Sequence, residues 1–193
     1  MGINVAAFDI ECTSLNGDFG IILCAVIHPQ GGKPITIRGD KLVPNWHRKR
    51  SDDSLVAAAI AEELSKYDLL IAHNGVMYDL PFIRTRIAKA NVSRDKKDWI
   101  APLPKLKIID PVKIARMQLR MSSNSLHRVT DFLNCNSKTE VSGDLWMKAA
   151  LDGDKKAMEY IVEHCLEDVK MLYSVLDHVK GYCSAFNNMG SMF

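Results

Sequence analysis

Four acidic residues in three short blocks are the residues of this sequence best suited to chemistry. Asp9 and Glu11 stand in FDIEC, Asp79 in HNGVMYDLPFI and Asp168 in HCLEDVKML. Carboxylates brought to one spot repel one another unless cations lie between them. Hard oxygen ligands of this type suit Mg2+ or Mn2+. A pair of such ions is a device for phosphoryl transfer.

Each block also has a plainer reading. Asp9 and Glu11 alternate with Ile10, so in a strand both leave one face while Phe8 and Ile10 take the other. An acidic pair at a strand end could simply meet solvent. Asp79 precedes Leu80-Pro81 and could cap the next helix. Asn74-Gly75 could make the turn after a strand. Asp168 is the sharper case. At about 100° per residue, Ile161, Cys165, Leu172, Val175 and Val179 fall on one stripe of a helix, with Asp168 in its middle. Glu163, Glu167, Lys170, Ser174 and Asp177 take the opposite face. Asp168 is thus the acid of this helix expected to point at the sheet, where a carboxylate is costly unless neutralised, paired or metal-bound. A buried arginine partner would be the structural alternative. His164 lies one turn before Asp168, towards the edge of the same apolar arc.

The elements that must position these groups follow from patterning. Residues 3–10, 19–28 and 33–38 read as three strands joined by short Gly- or Pro-containing gaps, which makes an antiparallel meander. Gly31-Gly32 reads as a hairpin turn, and no glycine-rich phosphate loop is present, so no nucleotide cofactor is expected. SDDS opens a helix over 51–66. A short buried strand is expected at 68–72 and a helix at 80–90 with Pro81 in its first turn. Residues 91–105 read as a loop and 106–110 as the last strand, followed by helices at about 111–120, 125–134 and 155–180. The fold class is α/β: a mixed five-stranded sheet, three antiparallel strands plus two parallel, flanked by helices in a ribonuclease-H-like arrangement. Residues 1–180 are expected to form a single domain, with 181–193 a loosely held tail.

Bulk properties narrow the class. The chain has 193 residues, 47% hydrophobic and 25% charged, with a formal net charge of +2. That charge does not announce nucleic-acid binding, so such binding must rest on a local site. Neither a membrane span nor a secretion signal is expected. Five cysteines, odd in number and without a CxxC pair, speak against structural zinc and a disulfide framework. A reducing intracellular setting, the cytoplasm, fits them. Other groups have bland readings. The run Trp46 to Arg50 (WHRKR) could steer a phosphate backbone and stack a base, or be a solvated loop. Arg84 and Arg86 could hold phosphates or be surface residues, and His127 reads as a surface residue.

Taken together, the three acidic blocks resemble the DEDD superfamily of 3′-to-5′ exonucleases, in particular the proofreading domain of family B DNA polymerases and their stand-alone relatives. The likeness spans residues 5 to about 175, with the motifs in the right order and separation. The resemblance implies a ribonuclease-H-like fold and a two-metal hydrolysis with two divalent ions, Mg2+ or Mn2+. It implies that Asp9 bridges both metals, that Glu11 and Asp168 complete one site, and that Asp79 serves the second through water. Glu11 would also meet the terminal 3′-hydroxyl, with Asn74 and Tyr78 close to the substrate strand. One departure stands out. The third motif has His164, three residues, then Asp168, where the polymerase branch has Tyr at that spacing and another branch has His one residue further away. His164 would orient water if it fills the Tyr place, or act as a general base if the helix start bends. The expectation is a metal-dependent 3′-to-5′ exonuclease acting on single-stranded DNA 3′ ends, working with a replication or repair protein as partner. The alternatives are an exoribonuclease of the same fold and a catalytically inactive nucleic-acid-binding module.

Overall fold

The computed structural model describes residues 2–46, 48–49, 52–135 and 142–182. Five strands, β1 (Val5–Cys12), β2 (Ile22–Pro29), β3 (Ile35–Arg38), β4 (Leu69–Ile71) and β5 (Ile108–Ile109), form one sheet in the order β3-β2-β1-β4-β5. β1, β2 and β3 are the expected antiparallel meander, while β4 and β5 run parallel to β1. The helices are α1 (Gly39–Leu42), α2 (Ser54–Leu64), α3 (Asp79–Asn91), α4 (Pro111–Gln118), α5 (Leu126–Phe132), α6 (Gly143–Met147) and α7 (Lys155–Val179). The mixed sheet flanked by helices agrees with the expected ribonuclease-H-like class. Among the described residues, no helix is long and apolar enough to cross a membrane.

Register creates the working end of the sheet. β4 pairs with β1 only from Val5 to Ala7, so Asp9 and Glu11 project beyond the last parallel rung. Parallel α/β sheets place their crevices just outside the carboxyl ends of such strands. The β1–β2 register also shifts between Glu11 and Cys12. A bulge of this kind bends a strand and re-aims its side chains.

The apolar stripe of α7 decides where its polar residues go. Ile161, Cys165, Val169, Leu172, Val175 and Val179 are buried as the helix packs on β1 and β2. Each fully buried aliphatic side chain contributes roughly 1.5–3 kcal/mol. The stripe together therefore outweighs the several kcal/mol that one buried carboxylate costs, and Asp168 is carried inward. Asp154 starts this helix by accepting hydrogen bonds from the backbone N–H of Lys156 and Ala157.

Several details depart from the sequence reading. Strand ends move by up to three residues, and a 3-10 turn (Lys96–Asp98) lies inside the expected loop at 91–105. The stretch before α7, left without an element, contains α6 and a π-helical turn at Lys148–Asp152, which stops at Gly153 with φ 65°. α1 was also not anticipated. Asp53 sits at the cap position of α2 but makes no cap hydrogen bond. Its carboxylate accepts instead from the Ile22 N–H at 2.8 Å and from the Arg86 guanidinium at 2.8–3.0 Å. Arg86 is therefore a buried brace, not a surface phosphate ligand. It also donates to the Gly17 carbonyl, tying the loop after β1 to α2 and α3. Trp46 is buried against Gly39, whose missing Cβ leaves room for the indole ring, so it offers no stacking surface. His47 and Arg50 of the same run, and residues 183–193 of the expected tail, lie outside the described residues.

Candidate active site

Three separated segments deliver the acids to one place. Asp9 and Glu11 come from the end of β1 and Asp168 from the middle of α7. Asp79 opens α3, directly after the turn that follows β4. That turn depends on Asn74, whose backbone is left-handed at φ 65°. The Asn74 carbonyl accepts from the N–H groups of Met77 and Tyr78, and its own N–H donates to Asp110 Oδ1 at 2.9 Å. Gly75 is required next to it, because a Cβ there would collide with the Ala72 side chain. The turn reading of Asn74-Gly75 is thus correct, while the capping reading of Asp79 is not: α3 has no side-chain cap. The Asn74 side-chain amide makes no hydrogen bond among the described residues.

The electrostatics mark convergence. Burial pushes the Asp9 carboxyl well above the usual range, and the charges of Asp79, Glu11 and Asp168 add to the shift. Glu11 is pushed up to about 8 by burial, opposed by a hydrogen bond from Trp146 and reinforced by Asp168 and Asp79. Burial lifts Asp79 to about 7 against backbone hydrogen bonds involving Asp79 itself and Ile10. Asp168 is raised by burial, with His164 and His127 opposing. Four carboxyl groups thus share one poorly hydrated pocket in which full ionisation is unfavourable without positive charge.

The donor set fits hard divalent cations. Ligand atoms of Glu11, His164 and Asp168 lie within 4.8 Å of one another, as do those of Asp9, Glu11 and Cys165. Asp79 Oδ1 is buried with no hydrogen-bond partner, an acceptor left available at the same place. Burial raises the Cys165 thiol well above its ordinary pKa. Its Sγ–H donates to Asp9 Oδ2 at 3.6 Å.

His164 stands between two of the acids. Its Nε2 is 3.9 Å from Glu11 Oε1 and 3.7 Å from Asp168 Oδ2. α7 runs unbroken from Lys155 to Val179. His164 and Asp168 thus lie one turn apart on a single helix. Tyr78 donates its hydroxyl to the Ser14 carbonyl at 3.1 Å and its ring packs on Phe82. It braces the loop after β1 against the α3 turn.

Sequence reasoning missed Trp146. From α6 its indole Nε1–H donates to Glu11 Oε2 at 2.8 Å, and its ring meets His164 edge-on with centroids 5.7 Å apart. One side chain therefore holds both the Glu11 carboxylate and the His164 imidazole. A lone Trp in a stretch without a recognised element gave no signal of this. The apolar rim was also missed. Leu15 and Phe19 are 82% and 84% exposed on the loop after β1, and Met77 and Met147 are exposed as well. Thr13, Ser14, Phe19, Arg48 and Met147 line one concavity between the loop after β1 and the end of α6. Arg48 is thus the described member of the basic run that lines this concavity.

Comparisons with known proteins place the fold. The sequence profile of RNase_H_2, described as RNase_H superfamily, matches residues 6–180. The chain belongs to the RNase_H superfamily. No curated protein sequence matches it. Among solved structures, the family B DNA polymerase of the hyperthermophilic archaeon Pyrobaculum calidifontis is similar, with TM-score 0.66 and 16% sequence identity over 92% of this chain. The match spans 24% of that polymerase, so this RNase_H-superfamily chain corresponds in fold to about a quarter of it.

Proposed function

We propose that this RNase_H-superfamily protein is a metal-dependent 3′-to-5′ exonuclease that hydrolyses phosphodiester bonds at single-stranded DNA 3′ ends. The observation that carries the reading is the electrostatic convergence of Asp9, Glu11, Asp79 and Asp168 from three distant segments. A structural role explains one desolvated acid, but four that act on one another, with no Lys or Arg paired to them among the described residues, call for a charged ligand. Asp9, Glu11 and Asp168 would hold one divalent ion, and Asp9 with Asp79 a second. Two such ions supply an activated water and stabilisation of negative charge on the leaving 3′ oxygen.

The remaining residues bind, orient and shield. Trp146 fixes Glu11 Oε2, which leaves Oε1 to face His164 and the pocket. His164, held edge-on by Trp146, orients the attacking water from its place between Glu11 and Asp168. The uncommitted amide of Asn74 serves the terminal nucleotide, and Tyr78 keeps the loop that carries Leu15 and Phe19 in position to flank its base. DNA is preferred over RNA because one similar solved structure is a DNA polymerase, and a replication or repair protein is the proposed partner.

The test is digestion of a 5′-labelled single-stranded oligonucleotide with Mg2+ or Mn2+, alongside an RNA of the same sequence. A ladder shortened from the 3′ end, abolished by EDTA and by Asp9→Ala or Asp168→Ala, is the expected result. Cleavage that persists in EDTA, or in both variants, would overturn the assignment.

A further inference from the structure

α4 and α5 form a second, cationic face next to the acidic pocket. Between Pro111 and Phe132 the exposed cations are Lys113, Arg116, Arg120 and Arg128, against the single acid Asp131. That local balance of +3 exceeds the +2 of the whole chain. Arg120, Arg128 and Phe132 line one concavity of about 530 Å³ together with Leu119, Met121 and Asp131. Among the described residues neither guanidinium makes an ion pair, although Asp131 is close by. Phe132 is 65% exposed, an aromatic ring beside two cations.

The position of this face is fixed by the site. His73 Nε2 lies 2.8 Å from the Asn124 carbonyl, which pins the segment before α5 to the residue preceding Asn74. Ser125 then caps α5 by accepting from the Arg128 N–H. The helix packs on α7, with His127 near enough to act on the Asp168 carboxyl. α5 therefore starts at the acids and runs about 9 Å away from them, at 1.5 Å per residue, towards Phe132.

We infer that the concavity lined by Arg120, Arg128 and Phe132 is a subsite for the single strand upstream of the scissile bond, with the arginines on phosphates and Phe132 under a base. Exposed cations interleaved with an aromatic ring are what a flexible polyanion with stackable bases requires. The inference rests on the nuclease reading for the place of the 3′ end, and it adds the path of the strand.

The experiment compares wild type with Arg120→Glu/Arg128→Glu and with Phe132→Ala, all exposed positions outside the acidic pocket. Hydrolysis of thymidine 5′-(p-nitrophenyl phosphate), too short to reach the subsite, should be unchanged. On a twelve-nucleotide single strand the double variant should raise KM about tenfold or more with kcat kept. Its binding should lose salt dependence by a slope of about 0.7 per phosphate contact removed. Anisotropy of the labelled strand in EDTA reads binding without turnover. If wild type hydrolyses neither substrate but the double variant still weakens strand binding tenfold, the subsite stands and the nuclease reading falls. If wild type is active and the double variant binds the strand equally well, the subsite falls alone. A peptide of ten glutamates binding this face more tightly than the oligonucleotide would assign it to an acidic protein and overturn the proposal.

Discussion

Replacing Glu11 by Gln should make the metal-free protein more stable at neutral and alkaline pH. Glu11 is held at about 8 against an ordinary value of 4.5, chiefly because it is buried. Between those values the folded chain carries a proton that the unfolded chain has released. Stability must then fall as pH rises through that interval, at up to 1.4 kcal/mol per pH unit. From pH 5 to pH 8 the loss attributable to Glu11 alone is about 3 kcal/mol. For a chain of this size that corresponds to roughly 10 °C in melting temperature. Gln keeps a carbonyl that can accept the Trp146 N–H, so packing and the hydrogen bond survive while the titration is removed. The assay is thermal melting in EDTA at half-unit steps from pH 5 to 8, repeated with Mn2+. The variant profile should be flatter by about 3 kcal/mol, and the variant should be the more stable protein at pH 8 without metal. With Mn2+ the order should narrow or reverse, because a ligand bound only by the folded state stabilises it in proportion to its affinity. Parallel pH profiles for the two proteins in EDTA would refute the reasoning, since they would mean that Glu11 is ordinarily ionised in the fold.

Three further outcomes follow from named contacts. Trp146→Phe keeps an aromatic edge against His164 but removes the donor to Glu11. A hydrogen bond to a charged group is worth about 1.5–3 kcal/mol, so the Mn2+ concentration for half-maximal binding should rise roughly tenfold or more in a calorimetric titration, and an unchanged isotherm would exclude this role for the indole. Arg86→Met strands Asp53 in the interior and should cost about 3–5 kcal/mol in urea unfolding, with Asp53→Leu/Arg86→Met recovering much of it; equal stability of single and double variants would contradict the brace. Gly75→Ala should displace the turn that presents Asp79 and lower metal affinity more than overall stability, a split visible when Mn2+ titration and chemical denaturation are run on the same sample.

The legible part of the site was the part encoded in periodicity and order. Asp168 was placed correctly because Ile161, Cys165, Leu172, Val175 and Val179 fix one face of a long helix, and burying that face fixes everything between. Asp9 and Glu11 followed from strand alternation, and the sheet order from three strands joined by tight gaps followed by alternating units. What escaped were contacts made across distance in sequence. Trp146 reaches Glu11 over 135 positions from a helix of five residues, too short to show a period. Asp53 looked like a cap because local chemistry favours one, yet a buried arginine 33 residues away took its carboxylate. Arg86 looked like surface for the converse reason: its partner is not on its own helix. Trp46, read beside its basic neighbours, is drawn into the core by a glycine that leaves room for it. In each case a tertiary partner outweighed the local signal.

Anomalous diffraction from crystals soaked with Mn2+ and a nucleoside 5′-monophosphate tests the central idea most directly, because it needs neither the correct substrate nor a partner protein. The account predicts two manganese peaks, one bounded by carboxylate oxygens of Asp9, Glu11 and Asp168 and one between Asp9 and Asp79. Crystals that bind manganese elsewhere, with no peak within coordination distance of Asp9, would contradict it.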